Sequence, residues 1–290
     1  MRERFVDLPA GRFFLREWGD ADAPPVLLLH GFPEYSGAWD AVASRLSDRF
    51  RLIAPDQRGY GQSVAPSAVT DYAPAKLVAD MAALIATLDV GPVPVVGHDW
   101  GAAVAYGLAI LRADLVARLV ILNGVHPGPF QRALAAGGAQ SAASQYIDWL
   151  RKDGSEDVLA ADDFARLRGL FGANMDMGWL TGTTLDDYLR EWALPGRLRG
   201  MVNWYRASPV RVARPGQPIT DLPAPNPDRL RIACPHLLIW GTGDRALLPE
   251  ATEGLEDYAP DLIRVTIPGA DHWLHHQAPA AVAEAIGGFL

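Results

Sequence analysis

One pentapeptide, Gly97-His98-Asp99-Trp100-Gly101, limits what this chain can fold into more than any other stretch. It follows the apolar run Val93-Pro94-Val95-Val96 and opens a helix-like run of small residues, Ala102-Ala103-Val104-Ala105. A glycine on each side of the central residue permits a sharp strand-to-helix turn that pushes one side chain out beyond the end of a sheet. Serine is the usual central residue of such a turn; here it is Asp99. A carboxylate is already ionised at neutral pH and needs no base to activate it. Against an ester or amide it would give a reactive anhydride. At a saturated carbon it displaces a leaving group and gives an ordinary ester on the protein. Hydrolysis of that ester does require a base.

The surroundings of the turn predict the architecture. Val26–Leu29, Arg51–Ala54, Val93–Val96 and Leu119–Leu122 are short apolar runs without polar alternation, as a sheet covered on both faces requires. Helical segments lie between them. In Pro74–Leu88 the residues Leu77, Met81, Leu84, Ile85 and Leu88 recur at helical spacing, and Pro74 suits the first turn. The pattern breaks near Gly128-Pro129. From there to about Ala213 the chain reads as short helices: Ser144–Leu150, Ala161–Phe171 and Leu185–Trp192. After a proline-rich connection, Pro215 to Pro227, the alternation resumes with His236–Trp240, a helix at Glu250–Tyr258, Ile263–Ile267 and a helix at Ala278–Phe289. The expected fold class is α/β: a mostly parallel twisted sheet with helices on both faces. Residues 1–127 and 214–290 form its core domain, and residues 128–213 form an inserted helical cap over the strands' carboxyl ends, where ligands bind in such sheets.

Composition excludes several function classes. The net charge of −8 is dispersed, with no basic stripe for nucleic acid. No run approaches the length of a membrane helix, and the amino terminus lacks a signal-peptide core, so a cytoplasmic location is expected. The single cysteine, Cys234, precludes an intrachain disulfide and reads as a packing residue at a strand edge. No metal or nucleotide motif is present, and no cofactor is expected.

The base and its partner have candidates at two further strand ends. Asp244 follows the His236–Trp240 run in Gly241-Thr-Gly-Asp244-Arg245, and His272 follows Ile263–Ile267 in Gly269-Ala-Asp-His272-Trp273. Nucleophile, acid and base in that chain order, each at the end of a strand, form a triad in which Asp244 orients His272. His275 and His276 sit further along and are not expected to be the base; His98 should point away from the site, and His126 reads as structural. The oxyanion hole is expected from the backbone N–H groups of Trp100 and of Phe32 in His30-Gly31-Phe32-Pro33-Glu34. A cis bond before Pro33 fits this loop.

On these residues the sequence resembles the α/β-hydrolase-fold epoxide hydrolases and the related haloalkane dehalogenases. The shared motifs are HGFPE at 30–34, DQRGYGQS at 56–63, GHDWG at 97–101, GTGD at 241–244 and GADHW at 269–273. The resemblance implies that two cap tyrosines donate to the epoxide oxygen. Their motifs are matched by Tyr146 in Tyr146-Ile-Asp-Trp-Leu150 and Tyr205 in Asn203-Trp204-Tyr205-Arg206. It also implies that Glu34 helps hold the hydrolytic water, with Trp100 and Trp204 positioning substrate. A small hydrophobic epoxide is the expected substrate, in keeping with the cap residues Trp149, Phe171, Trp179, Leu180, Trp192 and Trp204. The alternative is a haloalkane or haloacid dehalogenase using the same triad, with Trp100 on the halide; Phe32 stands where many dehalogenases have Asn. A third reading is a ligand-binding protein without turnover, against which the intact triad speaks.

Overall fold

The computed structural model describes residues 1–290, apart from the side chain of Phe171. Eight strands form one sheet: β1 (Arg2–Leu8), β2 (Gly11–Trp18), β3 (Pro25–Leu29), β4 (Arg51–Pro55), β5 (Val93–His98), β6 (Val116–Leu122), β7 (His236–Gly241) and β8 (Leu262–Ile267). Their order is β1-β2-β4-β3-β5-β6-β7-β8. From β4 through β8 all neighbours are parallel, and β1 and β2 form an antiparallel edge.

Strand periodicity explains why the central runs are apolar throughout. Leu27, Leu29, Ile53, Val95, Leu119, Ile121 and Leu238 pack into a core on one face. Their neighbours Val26, Leu28, Leu52, Ala54, Val96, Val120, Leu122, Leu237 and Ile239 pack into a second core on the other. A strand buried on both faces has no position to give to water. The helices Pro74–Ala86 and Trp100–Leu111 cover the first face, and Asp40–Leu46 and Pro279–Phe289 the second. The chain steps from β3 outward to β4, then back across β3 to β5. This reversal opens a crevice at the carboxyl ends of β3 and β5.

Between β6 and β7 the chain is helical: Pro127–Ala135, Ala139–Ala143, Gln145–Leu150, Ser155–Phe171, Gly182–Ala193 and Arg197–Ala207. The fourth of these is broken at Ala161–Phe164, where Asp162, Asp163 and Phe164 take positive φ. Two expectations need correcting. The amino terminus is a β-hairpin in register from Arg2↔Glu17 to Leu8↔Gly11, which the sequence reading passed over. The segment 250–258 is not one helix but two short 3₁₀ turns, Pro249–Thr252 and Leu255–Asp257, interrupted at Gly254 with φ +68°. Among the described residues no helix is long and apolar enough to cross a membrane.

Both glycines of the central turn are dictated by contact. A Cβ on Gly97 would lie 2.6 Å from the Gly101 carbonyl oxygen, and one on Gly101 would lie 2.1 Å from Leu29 O and 2.5 Å from His30 O. The helix therefore rests directly on the end of β3. Gly101→Ala is expected to push it off, at a cost of about 3 kcal/mol or more. That corresponds to a Tm lower by roughly 5 °C or more in thermal unfolding followed by circular dichroism. An unchanged Tm would show that helix and strand are not in obligatory contact.

Candidate active site

Asp99 sits between β5 and the helix Trp100–Leu111 with φ 49° and ψ −118°, a conformation an L-residue adopts only when its surroundings hold it there. Close packing supplies the constraint: a Cβ on Gly31 would come within 2.4 Å of the Asp99 side chain. The carboxylate is thereby pressed against the loop after β3, and Phe32 N–H donates to Asp99 Oδ1 at 2.7 Å. The Phe32–Pro33 peptide is cis. Trp100 opens the helix, so its N–H is one of the first-turn donors with no intrahelical acceptor.

The other carboxylate oxygen faces His272, with Asp99 Oδ2 3.6 Å from His272 Nε2. On the far side of the ring, His272 Nδ1 donates to Asp244 Oδ2 at 2.8 Å. The structure thus brings together Asp99 after β5, Asp244 after β7 and His272 after β8. Asp244 is itself held by three other donors: Asn123 Nδ2 at 2.6 Å to Oδ2, and the N–H groups of Ala246 and Leu247 at 2.8 and 2.9 Å to Oδ1. Burial alone would raise the Asp244 pKa, but His272, the Leu247 amide and Asn123 together bring it below the ordinary value. For His272, burial favours the neutral ring, but the Asp244 and Asp99 carboxylates outweigh it and push the pKa up to about 10.

Asn123 escaped the sequence reading. It lies just past the end of β6 with φ 31°, and its Oδ1 accepts from Gly241 N–H at 2.6 Å, which ties the end of β6 to that of β7 where Asp244 begins. The available signal was its position: Asn123 follows the Leu119–Leu122 strand, and Asn is the residue that tolerates positive φ while bridging two chains.

Glu34 lines neither cavity described below, and its side chain is fully buried. Oε1 accepts from Tyr188 Oη at 2.9 Å, His276 Nε2 at 2.7 Å and His275 Nε2 at 3.3 Å, while Oε2 faces His98 Nδ1 at 3.1 Å. Burial alone would raise its pKa; the His275, His276 and His98 side chains reverse this and hold it well below the carboxylate range. His98 Nε2 in turn donates to the backbone carbonyl of His272 at 2.8 Å. With protein groups on both oxygens, Glu34 braces the base from behind through His98. Among the described residues, Glu34, His98 and His275 are also the group whose ligand atoms lie close enough to surround an ion, within 4.8 Å of one another. The four hydrogen bonds satisfy the carboxylate without one. His126 caps the helix Pro127–Ala135 through Nδ1, which accepts from Gly128 N–H, and burial lowers its pKa to about 4.

Two cavities meet at Asp99. One, of about 260 Å³, runs past His272, Phe32 and Trp273 toward Asn174, Met175 and Arg245. The other, of about 310 Å³, runs past Trp100 between Leu77, Val104, Ile110, Phe130 and Val210. Tyr146, from Gln145–Leu150, and Tyr205, from Arg197–Ala207, line both, with ring centroids 6.1 Å apart. Burial and the neighbouring Asp99 charge raise the pKa of each above the usual phenol value, which keeps both hydroxyls as neutral donors. The Trp100 ring meets the Tyr205 ring edge to face, with centroids 5.1 Å apart. Trp204 lines the second cavity, but its indole N–H is spent on the Arg58 carbonyl at 2.9 Å. Trp149, Trp179, Leu180 and Trp192 line neither cavity; Trp192 donates to Pro33 O and Trp179 stacks on His276. The Phe171 side chain lies outside the described residues.

The family model for the alpha/beta hydrolase fold matches residues 24–279. The chain belongs to this family, among its epoxide hydrolases. Epoxide hydrolase A of Mycobacterium tuberculosis (strain ATCC 25618 / H37Rv) is 30% identical over 99% of this chain and 97% of its own length. The AB hydrolase superfamily protein YfhM of Bacillus subtilis (strain 168) is 32% identical over 94% and 92%. Among solved structures, one of the novel epoxide hydrolases from metagenomes of hot environments superimposes with a TM-score of 0.90 at 37% identity, covering 100% of this chain and 98% of that one.

The geometry makes a prediction about charge. The folded-state pKa of His272, about 10, exceeds its unfolded value of 6.5. Its contribution to stability is therefore complete below pH 6.5 and is lost as pH rises through about 10. In a histidine-resolved NMR titration the His272 ring should stay cationic until about pH 10 and titrate distinctly lower in Asp99→Asn. The loss of Tm between pH 6.5 and 10 should be smaller in that variant. Identical titrations would disprove the coupling between the two side chains.

Proposed function

We propose that this protein hydrolyses epoxides to vicinal diols through an ester on Asp99. The observation that carries the reading is the pair Tyr146 and Tyr205 beside Asp99 in both cavities, opposite the His272–Asp244 pair. Asp99 Oδ1 is held by the Phe32 amide, which leaves Oδ2 to attack. As the new C–O bond forms, the ring C–O bond breaks, and the departing oxygen takes a proton from a tyrosine. The carbonyl oxygen of the resulting ester is Oδ1, already in contact with the donor that must stabilise negative charge in the next step.

Alkylation also prepares the base. With Asp99 neutralised as an ester, His272 loses one of the two charges that keep it protonated. Its proton goes, in net terms, to the tyrosinate left by ring opening, and the neutral imidazole can then deprotonate water. The hydroxide attacks Cγ, the Phe32 and Trp100 amides meet the oxyanion, and the diol oxygen leaves with the proton from His272. A helical cap over 128–213 carries the tyrosines, and the Trp100 ring packs edge to face against that of Tyr205. The halide reading is less well served, because Trp204 has committed its N–H elsewhere and two hydroxyls face the nucleophile.

The mechanism separates two variants. His272→Gln should open the ring once and stop, with turnover falling by about 10²–10⁴-fold. Intact-mass spectrometry after addition of styrene oxide should show one added epoxide mass. Asp99→Asn should show none. A folded His272→Gln protein that gains no mass would refute the covalent route. Tyr205→Phe should slow single-turnover ester formation while leaving the hydrolysis of ester already formed nearly unchanged.

A further inference from the structure

Tyr146 and Tyr205 stand on different helices, and in the proposed reaction both serve one oxygen atom. Ring packing is too loose to arrange this. Tyr205 meets Tyr146, Phe32 and Trp100 edge to face, with centroids 6.1, 5.2 and 5.1 Å apart. Such contacts tolerate separations from about 4.5 to 7 Å, whereas a proton donor must sit within about 2.6–3.2 Å of its acceptor. The tighter constraint has to come from the helices.

The helix Arg197–Ala207 is seated on the core by Gly200 and Trp204, which share one face. A Cβ on Gly200 would come within 2.7 Å of the Gly59 carbonyl oxygen, so helix and loop touch backbone to backbone. Trp204 donates to the adjacent Arg58 carbonyl. Arg58 is held in turn, with Nε and Nη2 donating to the two oxygens of buried Asp80 at 2.7 and 2.6 Å. Tyr205 follows Trp204, so this seat sets its height over Asp99.

Two arginines tie the helix Gln145–Leu150 to that seated helix. Arg151, just past its end, donates from Nε to the carbonyl of Tyr205 itself at 3.0 Å. Its Nη2 donates to the carbonyls of Ser208 and Val210 at 3.0 and 2.8 Å, and Asp148 accepts from Nη1 at 2.9 Å. Tyr205 O belongs to the last turn of its helix, where carbonyls lack the usual intrahelical partner. Arg206, next to Tyr205, reaches the other way: Nη2 donates to Lys152 O at 2.8 Å and Ser155 Oγ at 3.3 Å, and pairs with Glu156. Each tyrosine helix thus carries an arginine bonded to the chain that closes the other. A guanidinium sharing several acceptors holds its position better than a lone surface ion pair.

We propose that Arg151 and Arg206 form a reciprocal clasp that sets the spacing of the Tyr146 and Tyr205 hydroxyls. Both arginines are then positioning residues for ring opening, an inference that rests on the epoxide reading. Neither lines a cavity, so their effect passes through the tyrosines.

The test follows gain of mass on rapid mixing with styrene oxide, which reports ester formation, and its later loss, which reports ester hydrolysis. Arg151→Gln and Arg206→Gln should each slow ester formation by about ten-fold, as a misplacement of a fraction of an ångström does, and leave hydrolysis of the ester nearly unchanged. Arg151→Lys should restore part of the rate. In a Tyr146→Phe background Arg151→Gln should cost less than about two-fold, because the seated Tyr205 acts alone and no spacing remains to be set. If Arg151→Gln does not fold, Arg151→Lys carries the same comparison between the two backgrounds. Equal losses with and without Tyr146, equal slowing of both steps, or no slowing at all would overturn the clasp while leaving epoxide hydrolysis intact. A wild-type protein that neither gains mass nor yields diol would overturn the epoxide reading and this inference with it.

Discussion

One imidazole between two carboxylates organises this site. His272 is 2.8 Å from Asp244 and 3.6 Å from Asp99, and both charges favour its protonated form. An imidazolium cannot act as a base, so as it stands the arrangement looks wrong for ester hydrolysis. On the proposed mechanism it becomes right once Asp99 has reacted. Alkylation would remove one of the two charges and free the base when there is an ester to hydrolyse. Asp244 is buried at its post with four hydrogen bonds and keeps the ring oriented throughout. The proposed route thus couples the charge of Asp99 to the basicity of His272 through electrostatics.

This coupling demands fixed distances, and the fold supplies them at the strand ends. Asp99, Asp244 and His272 each stand on the loop leaving a parallel strand, and β5, β6, β7 and β8 are consecutive in the sheet. Asn123 fastens the ends of β6 and β7 to each other. Glu34 and His98 fasten the loop after β3 to the backbone of His272. Burying Glu34 without partners would be costly, and three histidines and Tyr188 remove that penalty. The strained backbone of Asp99 is tolerated for the same reason. Gly97 and Gly101 let the helix sit on β3 so closely that no unstrained alternative remains.

Much of this was legible in the sequence, and what was not has a physical explanation. Val26–Leu29 and Val93–Val96 were readable as buried strands because both faces demand apolar residues. Asp99, Asp244 and His272 were readable because glycine-rich turns announce strand ends. The hairpin β1–β2 was less visible, since its exposed arginines and glutamates dilute the pattern at the sheet edge. The 250–258 segment looked helical by composition, but nothing in composition registers that Gly254 adopts a left-handed conformation. The surroundings of Glu34 were not legible: its partners His275, His276 and Tyr188 lie more than 150 residues away in sequence, and only the closed fold brings them together.

The two cavities follow from the same topology. A crevice at the reversal of strand order is open along the sheet edge on both sides of β3 and β5. Helices laid over it roof the middle and leave two ends. Tyr146 and Tyr205 come down from that roof, and together with Asp99 they line both cavities. The walls differ along their length: aliphatic side chains line the Trp100 side, while the exposed polar residues Asn174 and Arg245 lie on the His272 side. Side chains on these walls away from the triad, such as Val104 and Phe130, can change without disturbing the coupled charges at its centre.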